Sequence, residues 1–282
     1  MEGAYYNGQY LNRLERLGYS QAEIDNKLES TFEEMFYGPE GVRLCHCAGP
    51  DMMYIEDTGN HDVRTEGMSY AMMFCVQMNR QKEFDCLWRW VVTHMYLTEG
   101  ENAGYFAWSC HTDGSKNSDG PAPDGEEFFA MSLFFAANRW GSGEGVLDYA
   151  SWARRILHAC VHKGEETGSG FPMWNPENHL IKFIPNCEFT DPSYHLPHFY
   201  ELFALWSDEC DRPFWHAAAA ASRQYLRKAC HARTGLSAEY AEYDGRPHRG
   251  DQPDRHDWFF SDAYRTLGNI ALDAQWFGDK DG

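Results

Sequence analysis

Positive charge is scarce in this sequence. Its 282 residues hold 24 Lys and Arg against 43 Asp and Glu, a formal net charge of −19. Binding a phosphate backbone means replacing its counterions with Lys and Arg, so nucleic acid is excluded as a partner. An anionic membrane surface is disfavoured for the same reason. Long apolar runs are missing too. Stretches such as Phe128–Ala137 and Ala217–Ala221 fall far short of the roughly 20 residues a membrane-crossing helix needs. No long run alternates apolar with polar, which argues against a sheet protein. The opening MEGAYY has no basic region and no apolar run, so a secretory leader is not expected. The nine cysteines are scattered and odd in number, and are expected to be reduced thiols in a cytoplasm. Cys45 and Cys47, on either side of His46, are the only close pair of cysteines. No second pair follows at finger-like spacing, so no metal site is expected.

What is present is apolar and aromatic. Hydrophobic residues make up 43% of the chain, which excludes wholesale disorder, and aromatics 16%, enough for a core and for sugar-stacking surface besides. Apolar residues recur at three- and four-residue spacing, which predicts helices over Gln9–Phe36, Glu66–Asn79, Lys82–Tyr96, Glu126–Trp140, Val146–His162, Pro197–Trp206, Arg212–Cys230 and Asp262–Phe277. Long Gly-, Pro- and Asp-rich loops lie between them, notably Thr112–Gly125, Gly164–Asp191 and Thr234–Phe259; loops of that length are usually functional.

These helices are of two kinds, and the kinds alternate. Gly67–Met78 and Phe128–Asn138 carry no charge, Ser193–Trp206 carries only Glu201, and Ala263–Trp276 only Arg265 and Asp273. The helices between them carry several charges on one face, such as Lys82, Glu83, Asp85 and Arg89. A helix apolar nearly all round is buried, and one with a single apolar stripe covers it. The pattern predicts an all-α toroid of inner helices wrapped by outer ones. Inner helices would run the same way and bring Glu66, Asp124, Asp191 and Asp262 to one face. Any one of these acids alone is explained as a helix cap; four meeting on one face exceed what capping requires.

Four segments carry a resemblance. His61-Asp62-Val63-Arg64-Thr65-Glu66-Gly67-Met68-Ser69-Tyr70 resembles the catalytic-acid segment of the family 8 glycoside hydrolases. Pro121-Ala122-Pro123-Asp124-Gly125-Glu126-Glu127, Asp191-Pro192-Ser193-Tyr194-His195-Leu196-Pro197 and Ser261-Asp262-Ala263-Tyr264-Arg265 are similar to its second, third and fourth segments, in order. Segments Gly104–Cys110 and Phe171–Asn178 are similar to the branch that releases xylose from the reducing end of xylo-oligosaccharides. The resemblance implies an (α/α)6 barrel and cofactor-free, inverting hydrolysis of β-1,4-xylosidic bonds. It assigns Glu66 as general acid and Asp262 as general base, with Asp124 on the sugar, Tyr194 at the attacking water and Arg265 beside the base. An inverting enzyme needs one protonated carboxyl for the leaving oxygen and one carboxylate to activate water on the opposite face. Glu66 is expected to be held protonated by apolar surroundings and by Asp124, and Asp262 ionised by Arg265 one helical turn on.

Bland readings stand beside these. Tyr194 could be a buried structural tyrosine, and Trp108 serves equally well as core or as a sugar platform. Arg64 reads as a structural ion-pair partner, and His195 and His198 as satisfied histidines rather than ligands. The family's ring has twelve helices and eight are counted here. The chain therefore reads as one catalytic domain over residues 1–282 lacking its C-terminal third, with an open edge inviting self-association. Alternatives remain. One is an endo-acting β-1,4-glycanase of the same family: xylanase, cellulase or chitosanase. Another is a sugar epimerase or unsaturated-uronyl hydrolase on an α/α barrel, and a third an inactive carbohydrate-binding fragment.

Overall fold

The computed structural model describes residues 2–165, 168–250 and 255–278. Residues 166–167 of the expected loop Gly164–Asp191, and 251–254 of Thr234–Phe259, lie outside the described residues. Ten α-helices are present among those described: α1 Ala4–Asn7, α2 Arg13–Arg16, α3 Gln21–Tyr37, α4 Thr65–Gln77, α5 Gln81–Trp90, α6 Pro123–Trp140, α7 Tyr149–His162, α8 Pro197–Trp206, α9 Arg212–Ala229 and α10 Arg265–Phe277. The count of eight is therefore corrected. The expected helix Gln9–Phe36 is broken, because Gly18 turns at φ +97° and Ser20 starts a new helix with a capping box to Glu23. The helix expected over Lys82–Tyr96 finishes as a π turn, Val91–Met95. The one expected from Asp262 begins as a 3₁₀ turn, Ser261–Tyr264.

Four short strands went unanticipated: β1 Cys45–Cys47 pairs with β2 Met53–Ile55, and β3 Val63–Arg64 with β4 Ser109–Cys110, both antiparallel. At two or three residues each they leave no period to read. β3 and β4 nevertheless matter, because they fix where α4 starts. Thr65 N–H donates to the Trp108 carbonyl at 3.0 Å, and Asp62 accepts from both Arg64 Nε (3.0 Å) and Ser109 Oγ (2.9 Å).

The alternation of helices is present. α4, α6 and α8 pack in succession, α5 covers α4, α7 covers α6, and α9 covers α8. Between the layers lies an aromatic core in which Phe84, Trp88, Trp90, Phe106, Phe129, Trp174, Tyr200 and Trp215 are buried. Prolines start three of these helices: Pro123, Pro197 and Pro213 stand in the first turn, where a missing N–H costs nothing. α10 departs from the expected inner character. It packs on α8 and α1, and of its apolar side chains Phe277 is buried whereas Leu267 and Ile270 are exposed. Arg223 of α9 ties this layer together, donating to both Asp273 oxygens of α10 (2.8 and 2.7 Å) and to Glu201 of α8 (2.6 Å).

Candidate active site

Glu66 stands in the first turn of α4, Asp124 in the first turn of α6, Asp191 caps the short turn Pro192–Tyr194 before α8, and Asp262 lies in the turn before α10. The helix N-termini that the sequence was expected to gather are gathered, and one cation joins three of these acids, Glu66, Asp124 and Asp262. Arg265 Nη1 donates to Glu66 Oε1 (3.1 Å), Asp124 Oδ2 (3.0 Å) and Tyr70 Oη (2.9 Å). Its Nη2 lies 3.0 Å from Asp262 Oδ2. The guanidinium also sits over the Tyr194 ring, 5.6 Å from its centre. Five of the six expected site residues thus surround one guanidinium or contribute it. Arg265 was expected beside Asp262; its contacts with Glu66 and Asp124 were not.

The sixth, Trp108, stands apart. It is half-buried, with Arg64 stacked at 5.2 Å from its ring centre, and lines a cavity of about 280 Å³ with Ser118, Pro121, Phe171 and Asn186. Arg64 is therefore a structural partner, held by Asp62 and Trp108. Glu66 and Asp262 line a separate cavity of about 350 Å³ with Leu44, Ile55, Thr58 and Arg64. Tyr70, Asp124, Leu196 and Arg265 line another of similar size.

Burial divides the carboxylates. The Glu66 and Asp262 side chains are 28% and 38% exposed, but that of Asp124 only 4%. The apolar surroundings expected around Glu66 are found around Asp124 instead. Burial pushes the Asp124 carboxyl well above the ordinary range, and Glu66 adds to that, while Arg265 opposes it. Asp191 is pushed to about 7 by burial, against the pull of Arg265 and a hydrogen bond from Ser193. Its Oδ2 is buried without a hydrogen-bond partner. Three carboxylates in contact with one guanidinium, and a fourth close enough to feel its charge, cannot all ionise cheaply, and the two buried ones are where a proton is most easily held. Burial raises the Tyr194 hydroxyl in the same way, so it remains a donor.

Sequence reasoning missed Tyr70 and the role of Asp191. Tyr70 follows Glu66 by four positions and so shares its helix face, a signal that was legible. His195 and His198 do not enter the site as ligands. His195 lies between Thr190 Oγ1 (3.0 Å) and Ser222 Oγ (2.9 Å) and stacks on Tyr225; His198 packs edge-on against Trp276. Burial lowers both to about 3, so both are neutral. Cys45, buried, and Cys47, exposed, flank a His46 that pairs with Glu56. Among the described residues, His158, His162 and Asp211 form a group able to hold a metal ion, and the Cys45–Cys47 cluster does not.

The family model for glycosyl hydrolases family 8 matches residues 19–282. The chain is 56% identical over 281 residues to a reducing end xylose-releasing exo-oligoxylanase of Halalkalibacterium halodurans, covering 99% of this chain and 71% of that protein. It is 58% identical over 280 residues to the corresponding enzyme of Paenibacillus barcinonensis, covering 98% of this chain and 72% of that protein. A solved structure of the Paenibacillus enzyme in complex with xylose superposes with a TM-score of 0.96 at 57% identity, covering 98% of this chain and 73% of that one.

Proposed function

From the premise that the chain belongs to glycosyl hydrolase family 8, we propose how its site performs the reaction of its relatives. The protein is a glycoside hydrolase that acts on short β-1,4-xylo-oligosaccharides and releases xylose from the reducing end. Its helices form part of an (α/α)6 toroid. The observation that carries the mechanism is the Arg265 hub. One guanidinium holds Glu66 on Nη1 and Asp262 on Nη2, and both carboxylates reach the same cavity.

Glu66 is the general acid that protonates the leaving glycosidic oxygen. Asp262, the more exposed of the two, is the general base that takes a proton from the attacking water. The new C–O bond forms on the face opposite the one that breaks, so configuration inverts and no enzyme-bound sugar forms. Asp124 keeps its proton and donates it as a hydrogen bond to a sugar hydroxyl. Tyr194, beneath the guanidinium, orients the water, and Trp108 offers its ring face to a sugar further along the cleft. The reaction needs no cofactor. A reducing, cytoplasmic setting suits the nine free cysteines, four of them buried.

The test is the product of xylotriose cleavage followed from the first seconds by NMR. Xylobiose and xylose are expected, with the new anomeric centre at the cut in the α configuration. A β anomer would mean a retaining mechanism with carboxyls roughly 5 Å apart. Cleavage inside longer chains, with no preference for the reducing end, would favour an endo-acting glycanase.

A further inference from the structure

The outer layer carries a second convergence of side chains, on helices that do not supply the carboxylate hub. His158 and His162 are four residues apart on α7 and so share one face. Their ring centres are 4.5 Å apart. Facing them is Asp211, at the start of α9, whose side chain is 2% exposed. Its Oδ1 lies 2.7 Å from His162 Nε2 and its Oδ2 3.5 Å from His158 Nδ1. One donor atom from each of the three residues falls within 4.8 Å of the others.

Two details distinguish this group from an ordinary ion pair. First, His162 Nδ1 lies 2.8 Å from Glu165 Oε2. A ligating histidine commonly gives its other ring N–H to a carboxylate, which fixes the tautomer and turns the free nitrogen toward the metal. Glu165 sets His162 in that way, with Nε2 turned to Asp211 and His158. Second, the two imidazoles lie tilted at 34° against each other and both turn a ring nitrogen to the same buried carboxylate, so three donor atoms converge from two helices. The His158 side chain is 45% exposed, so an ion can enter from solvent.

We propose that His158, His162 and Asp211 form a binding site for a divalent transition-metal ion of the zinc type. Two imidazoles and one carboxylate suit zinc rather than magnesium or calcium, which take oxygen donors. Three protein ligands leave a fourth position for water, or for Cys210, whose thiol lies 3.4 Å from Asp211 Oδ1. The ion joins the end of α7 to the start of α9 and so fastens two outer helices to each other. It binds the folded chain and not the unfolded one, and therefore raises stability by mass action. This departs from the sequence reading, which looked for metal at Cys45-His46-Cys47; the His-x-x-x-His spacing on a helix was the signal available.

The experiment strips the full chain with chelator and titrates it with zinc sulfate alone, by calorimetry and by thermal unfolding. One saturable equivalent is expected, with a rise in melting temperature of several degrees. His158→Ala, at a half-exposed position, should lose most of the affinity, and His158→Ala/His162→Ala all of it along with the thermal shift. His46→Ala/Cys47→Ser should retain both. Asp211→Asn, nearly the same shape, guards against a folding defect in the double variant. Xylotriose hydrolysis should be unchanged in His158→Ala. No saturable binding would overturn the proposal. So would binding that survives the double variant, or binding lost in His46→Ala/Cys47→Ser.

Discussion

At the scale of single residues, the site works by making chemically similar carboxyls unequal. Asp124 and Asp191 are buried, and burial pushes both carboxyls above the ordinary range; Glu66 and Asp262 are more exposed and line a shared cavity. Glu66→Gln and Asp262→Asn keep shape and remove proton transfer, so each should lower kcat by about 10²–10⁴-fold, the usual share of a general acid or base. Melting temperature and xylobiose affinity should barely move. Steady-state kinetics with calorimetric binding checks this, and a Glu66→Gln enzyme keeping more than about a tenth of normal kcat would remove it as the acid. That these residues would meet was legible, because four motifs stood in order along the chain, each at the start of a helix or turn. Their environment was not. Arg265 falls one turn after Asp262, which a sequence shows, but it reaches Glu66 across a separation of 199 positions, which only the packed helices reveal.

At the scale of elements, the long apolar helices were legible and their ends less so. α8 begins and ends where its apolar period and Pro197 place it. The break before α3 was encoded too, in Gly18 and the Ser20–Glu23 box, but an apolar period running across both sides concealed it. β3 and β4 are too short to carry any period, yet they anchor the start of α4, the helix that carries Glu66. The joint least visible in sequence is Arg223. Its side chain is 12% exposed and it binds one carboxylate on each of two other helices. Arg223→Met leaves Glu201 and Asp273 without that cation. Breaking a buried ion pair from one side costs about 3–5 kcal/mol, which in a domain of this size lowers the melting temperature by ~10 °C. Calorimetry of the variant checks it; a drop below about 2 °C would show that the triad holds little of α10 in place.

At the scale of the whole molecule, one side of the helical array is greasy. Tyr264, Leu267 and Ile270 near α10 are 65%, 45% and 37% exposed, and Phe74 of α4 is 46% exposed. Burying a large apolar side chain is worth about 1.5–3 kcal/mol, so several together favour association through this face. The 282-residue chain is expected to sediment as a dimer or larger species at micromolar concentration. Leu267→Glu/Ile270→Glu should return it to a monomer. A wild-type chain that sediments as a monomer at every concentration would show that this face is tolerated in water. The alternation of charged and uncharged helices announced two layers. It did not announce how open α10 would be, because the same apolar residues read alike whether or not a neighbour covers them.

The acids gathered at Arg265 sit in a chain of formal net charge −19, and that field bears on which oligosaccharides approach readily. A neutral pentose chain meets no electrostatic barrier at such a mouth, and free xylose leaves without one. An oligosaccharide bearing a uronic acid carries its own negative charge toward a protein whose net charge is already −19. An acidic oligosaccharide is thus expected to associate more slowly than a neutral one of the same length, a difference that added salt should shrink.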